Sequence, residues 1–240
     1  MKVVIADDTE DAARLVCDAV VDLLRAERAV VLGLAGGRTF EPVYRFIVER
    51  RPPVHDLIAV LLDEYLGHGH GDGHRFRRQA RVQLTDGLGL DPSRLRSLDG
   101  ATSDAEAECS RFEEMIVELG GVDLQLLGLG ANGHIAFNEP GSTRDSRTRL
   151  VQLTEETRAA NASAYGRPDL VPRQALTQGI ATILEARRII LMATGSHKAA
   201  AVAAAVDGPV DDGVPASALQ GHPNTTVVLD PHAAQLLAPA

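Results

Sequence analysis

The sequence predicts an α/β protein, a three-layer αβα sandwich on a mainly parallel sheet. Two observations carry this reading. Short β-branched or Leu-rich runs alternate with longer helix-patterned segments, the rhythm of repeated β-α-β units. The runs are apolar at successive positions rather than at every second one, as strands covered by helices on both faces must be.

In chain order, KVVIA is the first strand and residues 11–25 the first helix. AVVLGLA follows, then a helix over 42–49, then the strand LIAVLLDE. The second half gives a helix over 105–119, the strand LQLLGLG, the strand RIILMATG with a helix over 198–206 behind it, and a last strand TTVVLD. No repeat or linker interrupts this series, so residues 1–240 read as a single domain. The stretches GHGHGDGH (67–74) and PVDDGVP (209–215) read as surface loops.

Composition narrows the partners. Thirty-three acids against 24 Lys and Arg leave a net charge of -9, which argues against nucleic acid or anionic lipid. Any anionic ligand must be met by local cations. Two cysteines, Cys17 and Cys109, have no metal-site spacing and suit a reduced compartment, so a cytoplasmic protein is expected. No apolar run approaches the roughly 20 residues that span a bilayer, and MKVVIADD lacks the shape of a signal peptide. The sequence leaves the oligomeric state open, a homo-oligomer included.

Chemically loaded residues gather where strands end. AVVLGLA runs into Gly36, Gly37, Arg38 and Thr39; LIAVLL into Asp63, Glu64 and Tyr65; LQLLGLG into Asn132, Gly133 and His134; IILMAT into Gly195, Ser196, His197 and Lys198. In an open parallel sheet ligands bind at that edge, so the four turns are expected to converge on one pocket. GGRT reads either as a tight turn or as a cradle of free backbone N–H groups for an anion. GSHK repeats the design, and a lysine opening a helix is unfavourable for the dipole unless an anion sits beside it. Asp63 reads either as a helix N-cap or as a functional carboxylate. His68, His70 and His74 match no usual tetrahedral spacing, so no metal is expected.

GLGANGHIAFNEPGS (128–142) resembles the signature of glucosamine-6-phosphate deaminases (glucosamine-6-phosphate isomerases), and LLDEYLG, TRAANASAYG, VPRQALTQGIATIL and GSHKAAAV continue it in order. The related 6-phosphogluconolactonases share the scaffold and the GGxT turn but follow the His differently. The resemblance implies a Rossmann-like fold and cofactor-free conversion of glucosamine 6-phosphate and water to fructose 6-phosphate and ammonia. Within it, His134 suits ring opening, because imidazole titrates near neutrality. Glu139 is the expected carboxylate holding the other ring nitrogen, and Asn132 stands where members carry Asp or Asn. Glycines 128, 130 and 133 are expected to admit the sugar. The resemblance places the carbon base on Asp63 and leaves Glu64 to structure the turn.

The chain departs from the family pattern in places. Ser163 stands where members commonly carry a phosphate-binding arginine, while Arg38 stands where a small residue is usual, so Arg38 is expected to supply the missing cation. The loop after Tyr65 reads GDGHRFRRQ, whose Arg75, Arg77 and Arg78 are either anion contacts or solvated. Val151 replaces a lysine of the allosteric site known in some members, which implies no activation by the N-acetyl sugar phosphate. A lactonase, another sugar-phosphate isomerase and a non-catalytic sugar-phosphate sensor are the alternatives on the same scaffold.

Overall fold

The structure, a computed structural model, describes residues 1–67 and 76–238. His68, His70, His74 and Arg75 lie outside the described residues. Strand β1 (Lys2–Ile5) leads into α1 (Thr9–Ala26), which starts where the Asp8 carboxylate accepts from Asp11 N–H. Then come β2 (Ala29–Leu34), α2 (Glu41–Arg50), β3 (Asp56–Leu61), β4 (Asp63–Tyr65), α3 (Phe76–Ala80), β5 (Leu95–Arg96), α4 (Ala105–Glu118) and β6 (Leu124–Gly128). The rest runs β7 (Arg149–Gln152), α5 (Glu155–Tyr165), β8 (Gln174–Thr177), α6 (Ile180–Leu184), β9 (Ile189–Ala193), α7 (Ala199–Val206), β10 (Thr225–Leu229) and α8 (Pro231–Ala234).

Seven strands form one sheet in the order β1-β10-β9-β6-β2-β3-β5, every pair parallel. From β2 the chain works outward through β3 and β5, then returns to the other side of β2 as β6 and continues outward through β9 and β10. The reversal opens a crevice between β2 and β6, at the carboxyl ends of the strands. The four loaded turns follow β9, β6, β2 and β3, which are contiguous in the sheet. At strand spacings near 4.8 Å they span roughly 14 Å, a width that one small ligand and its contacts bridge.

One expected element is divided. LIAVLLDE does not run on as a single strand: β3 stops at Leu61, and Asp63–Tyr65 turns aside as β4. The cause is tertiary, since Gln178 donates its side-chain amide to Leu61 O at 3.2 Å and its backbone N–H to Leu62 O at 2.8 Å. β4 therefore pairs antiparallel with β8, and β8 with β7, in a second sheet the sequence reading lacked. Asp63 is thus a strand residue, not a helix N-cap.

Beneath this junction lie four of the chain's eight aromatic residues. The Tyr65 ring stands 5.0 Å from Phe76, 5.3 Å from Phe137 and 5.7 Å from Tyr165. A hydrophobic cluster that includes Leu176 of the small sheet and Leu126 of the large one joins the two.

Candidate active site

The loop after β6 is built around His134. Gly130 N–H donates to His134 O at 2.8 Å and Gly133 N–H to Gly130 O at 3.1 Å, and Gly133 takes a φ of 88° that glycine adopts without strain. A Cβ on Gly130 would lie 2.3 Å from the His134 ring. Gly130 thus makes room for the imidazole, a task the sequence reading did not give it. The loop is braced from outside, because Ala216 N–H donates to Gly133 O at 3.0 Å and Gly141 N–H to Asp212 O at 2.7 Å. The 209–215 stretch, expected as a surface loop only, therefore packs on the loop that carries His134.

The histidine's partner also differs from expectation. His134 Nδ1 lies 2.7 Å from Asn132 Oδ1, whereas Glu139 Oε2 is 3.6 Å from Nδ1 and 2.8 Å from Asn132 Nδ2. Asn132 stands between the ring and the carboxylate. Burial alone would push the Glu139 carboxyl up, but the nearby polar groups of His134, Thr157 and Asn132, with the charge of His134, hold it down to about 2. A carboxylate only accepts, so the Asn132 NH₂ must face it and the amide oxygen must face His134. The proton on the ring then sits on Nδ1, and Nε2 presents a lone pair.

Asp63 behaves differently. Its side chain is buried and makes no hydrogen bond among the described residues. Burial first, and then the neighbouring Glu64 carboxylate, push its carboxyl up to about 8. Glu64 has a structural task, as expected: its oxygens accept from the backbone N–H groups of Tyr65, Phe76 and Arg77 at 3.1, 3.1 and 3.2 Å.

The two glycine turns match. Gly37 and Gly195 have φ of 87° and 89°, and each precedes a short 3-10 turn, Arg38–Phe40 and Ser196–Lys198, that runs into α2 and α7. Arg38 is exposed and Thr39 half-buried, and neither side chain hydrogen-bonds within the described residues. Gly36 is kept bare by the Phe76 ring, 3.2 Å from where a Cβ would stand. Lys198 is half-buried; burial lowers its pKa and the Glu156 carboxylate opposes that shift. Arg77 is committed elsewhere, donating to Leu95 O at 2.6 Å and Ser97 Oγ at 3.1 Å, and Arg78 is exposed.

A family profile described as glucosamine-6-phosphate isomerases/6-phosphogluconolactonase matches residues 6–228. The chain belongs to this family. Within it, a glucosamine-6-phosphate deaminase of Rhodopirellula baltica is 47% identical over 241 residues, covering 99% of this chain and 96% of its own length. One of Pseudarthrobacter chlorophenolicus is 44% identical over 240 residues, covering 99% and 93%. A solved structure described as a monomeric glucosamine-6-phosphate deaminase superposes with a TM-score of 0.96 at 39% identity, covering 98% of this chain and 100% of that one. A 6-phosphogluconolactonase from Trypanosoma cruzi, at 20% identity and a TM-score of 0.80 over 99% and 97% of the chains, shares the family fold.

Sequence reasoning missed two residues around the site. Thr154, the N-cap of α5, donates its hydroxyl to Glu139 Oε1 at 3.1 Å. A threonine followed by two acids is a readable helix start, but nothing local says whose carboxylate it meets. Tyr44, fully buried, donates to Ala35 O at 2.6 Å and so fixes the carbonyl just before the GGRT turn. The Ser163 side chain lies outside the described residues. Among the described residues no helix is long and apolar enough to cross a membrane, and no group of three or more His, Cys, Asp or Glu is placed to hold a metal.

Proposed function

We propose that this chain is a glucosamine-6-phosphate deaminase, converting glucosamine 6-phosphate and water to fructose 6-phosphate and ammonia, with residues 1–240 acting as one catalytic domain. The observation that carries the reading is the His134–Asn132–Glu139 chain of contacts on a loop at the same sheet edge as a buried Asp63 whose side chain makes no hydrogen bond among the described residues. One residue is suited to moving protons between oxygens and the other to moving a proton between carbons. The names of the relatives at 47% and 44% identity support the same activity.

In this mechanism His134 Nε2 takes the proton from the anomeric hydroxyl and returns it to the ring oxygen as the C1–O5 bond breaks. The imidazolium formed in passing is stabilised by the Glu139 carboxylate through Asn132. In the open chain, ionised Asp63 takes the C2 proton; the pair left behind forms the C1–C2 double bond while the C1 carbonyl pair moves onto O1, which takes a proton from the C2 ammonium to give an enolamine. Asp63 then returns the proton to C1, leaving an imine at C2. Water adds to that carbon, the C2–N bond breaks with a proton delivered to nitrogen, and ammonia leaves behind the C2 ketone. The aldehyde carbon is reduced to an alcohol as the amine carbon is oxidised to a ketone, so no external electrons are needed.

The C2 ammonium group of the substrate, placed against Asp63, favours the carboxylate form that burial disfavours. The backbone N–H groups of the two glycine turns, with Arg38, Thr39 and Lys198, hold the phosphate. The two buried free cysteines suit a reduced, cytoplasmic setting. The homo-oligomer left open by the sequence gains no support from the solved relative, which is a monomer. The deciding experiment sets ammonia release from glucosamine 6-phosphate beside hydrolysis of 6-phosphogluconolactone. Ammonia release alone is expected, and lactone hydrolysis alone would overturn the assignment.

A further inference from the structure

We propose that Thr154 is a positioning residue for the ring-opening histidine, and that through it helix α5 fixes the aim of the Glu139 carboxylate. This rests on the roles given above to His134 and Glu139.

The Thr154 hydroxyl has one proton to give and lone pairs to receive, and both are used. It donates to Glu139 Oε1 at 3.1 Å and accepts the backbone N–H of Thr157 at 3.2 Å, so one oxygen caps the helix and holds the carboxylate. The Thr154 backbone N–H also points at Oε1, at a longer 3.4 Å. The other carboxylate oxygen, Oε2, is held by Asn132 Nδ2 at 2.8 Å. Glu139 is therefore pinned between the catalytic loop and the first turn of α5. Without the pull on Oε1 the carboxylate is free to rotate, and the orientation of Asn132, which depends on it, is no longer imposed.

Two further features place α5 in this task. The Thr157 hydroxyl, one turn in, is buried with no hydrogen bond of normal length among the described residues, and its nearness helps hold the Glu139 carboxyl down. The adjacent Glu156 acts by its charge on Lys198, at the phosphate end of the site. The first turn of one helix thus hydrogen-bonds Glu139 and lies within range of the charge of Lys198. The strand before it is anchored independently, with Leu153 N–H donating to Arg173 O at 2.8 Å, so the cap is held in register with the small sheet.

Capping and positioning separate by substitution in the full chain. Thr154→Ser keeps both bonds, Thr154→Val removes both, and Thr154→Asp keeps a cap for Thr157 N–H while turning the donor facing Glu139 into a like charge. The expected result is that Thr154→Ser stays within about 3-fold of wild type, whereas Thr154→Asp and Thr154→Val both lose about 10-fold or more in kcat with a smaller change in KM. The ¹⁵N chemical shifts of His134 should report the Nδ1–H tautomer in wild type and Thr154→Ser, and a mixture in the other two. A Thr154→Asp enzyme with wild-type kcat and a single tautomer would overturn the proposal and leave Thr154 only a cap. If Thr154→Asp does not fold, the tautomers of the valine and serine variants decide alone. Glu139→Gln is the control: an inactive Glu139→Gln beside a fully active Thr154→Asp overturns only the role of Thr154, while a fully active Glu139→Gln overturns the site reading beneath it.

Discussion

Replacing Asp63 with asparagine is expected to abolish turnover while stabilising the protein, and the second effect grows with pH. In the folded chain burial and Glu64 raise the carboxyl from its ordinary 3.8 to about 8. Between those values the unfolded chain has lost the proton and the folded chain keeps it, so the folded state binds more protons and stability falls as pH rises. The loss is complete above about 8 and amounts to at most about 6 kcal/mol, at 1.36 kcal/mol per pH interval. Asparagine escapes it but buries an amide with unmet hydrogen bonds, at a cost of about 1–3 kcal/mol that does not depend on pH. Comparing two pH values cancels that cost. From pH 5 to pH 9, Asp63→Asn should gain about 4 kcal/mol on wild type, read as the difference in urea unfolding free energies. Deuterium exchange at C1 of fructose 6-phosphate should fall by about 10²-fold or more in the same variant. If the two proteins keep parallel stability profiles, Asp63 is an ordinary ionised aspartate and the argument from burial is wrong. Undiminished exchange would remove it from the chemistry.

Other substitutions probe the rest of the site. Gly130→Ala puts a methyl 2.3 Å from the His134 ring, so the ring must move, and kcat should fall by about 10²-fold with folding retained, as circular dichroism and kinetics together would show. Asn132→Leu removes the acceptor at Nδ1 and should cost at least about 10-fold in kcat, whereas Asn132→Asp, which keeps an acceptor there, should keep activity, as steady-state kinetics would show. An Asn132→Leu enzyme as fast as wild type would show that the tautomer is fixed elsewhere. Arg38→Ala should raise KM for glucosamine 6-phosphate by roughly 10-fold and leave any activity on unphosphorylated glucosamine unchanged; an unaltered KM would mean that Arg38 faces solvent in the complex.

The sequence by itself determined six strands of the large sheet, all but the two-residue β5, and the edge at which chemistry gathers. Runs such as AVVLGL and IILMA are apolar throughout because β2 and β9 are buried on both faces, and that pattern is local. The glycines of GGRT and GSHK were legible for the same reason: a φ near 90° is a demand that the backbone makes at one residue. The small antiparallel sheet was not legible. RLVQ and QALT are four-residue strands, and DEY leaves β3 only because Gln178, more than a hundred positions away in sequence, takes up the carbonyls of Leu61 and Leu62. The same limit applies to charge. Asp63 and Glu139 are both carboxylates to a sequence reader, yet one is pushed up to about 8 and the other held at about 2. Burial and the Glu64 carboxylate did the first, and the polar groups of His134, Thr157 and Asn132 the second. A residue's type and its place on a strand are written locally, whereas its proton affinity is a sum over neighbours that only the folded chain brings together.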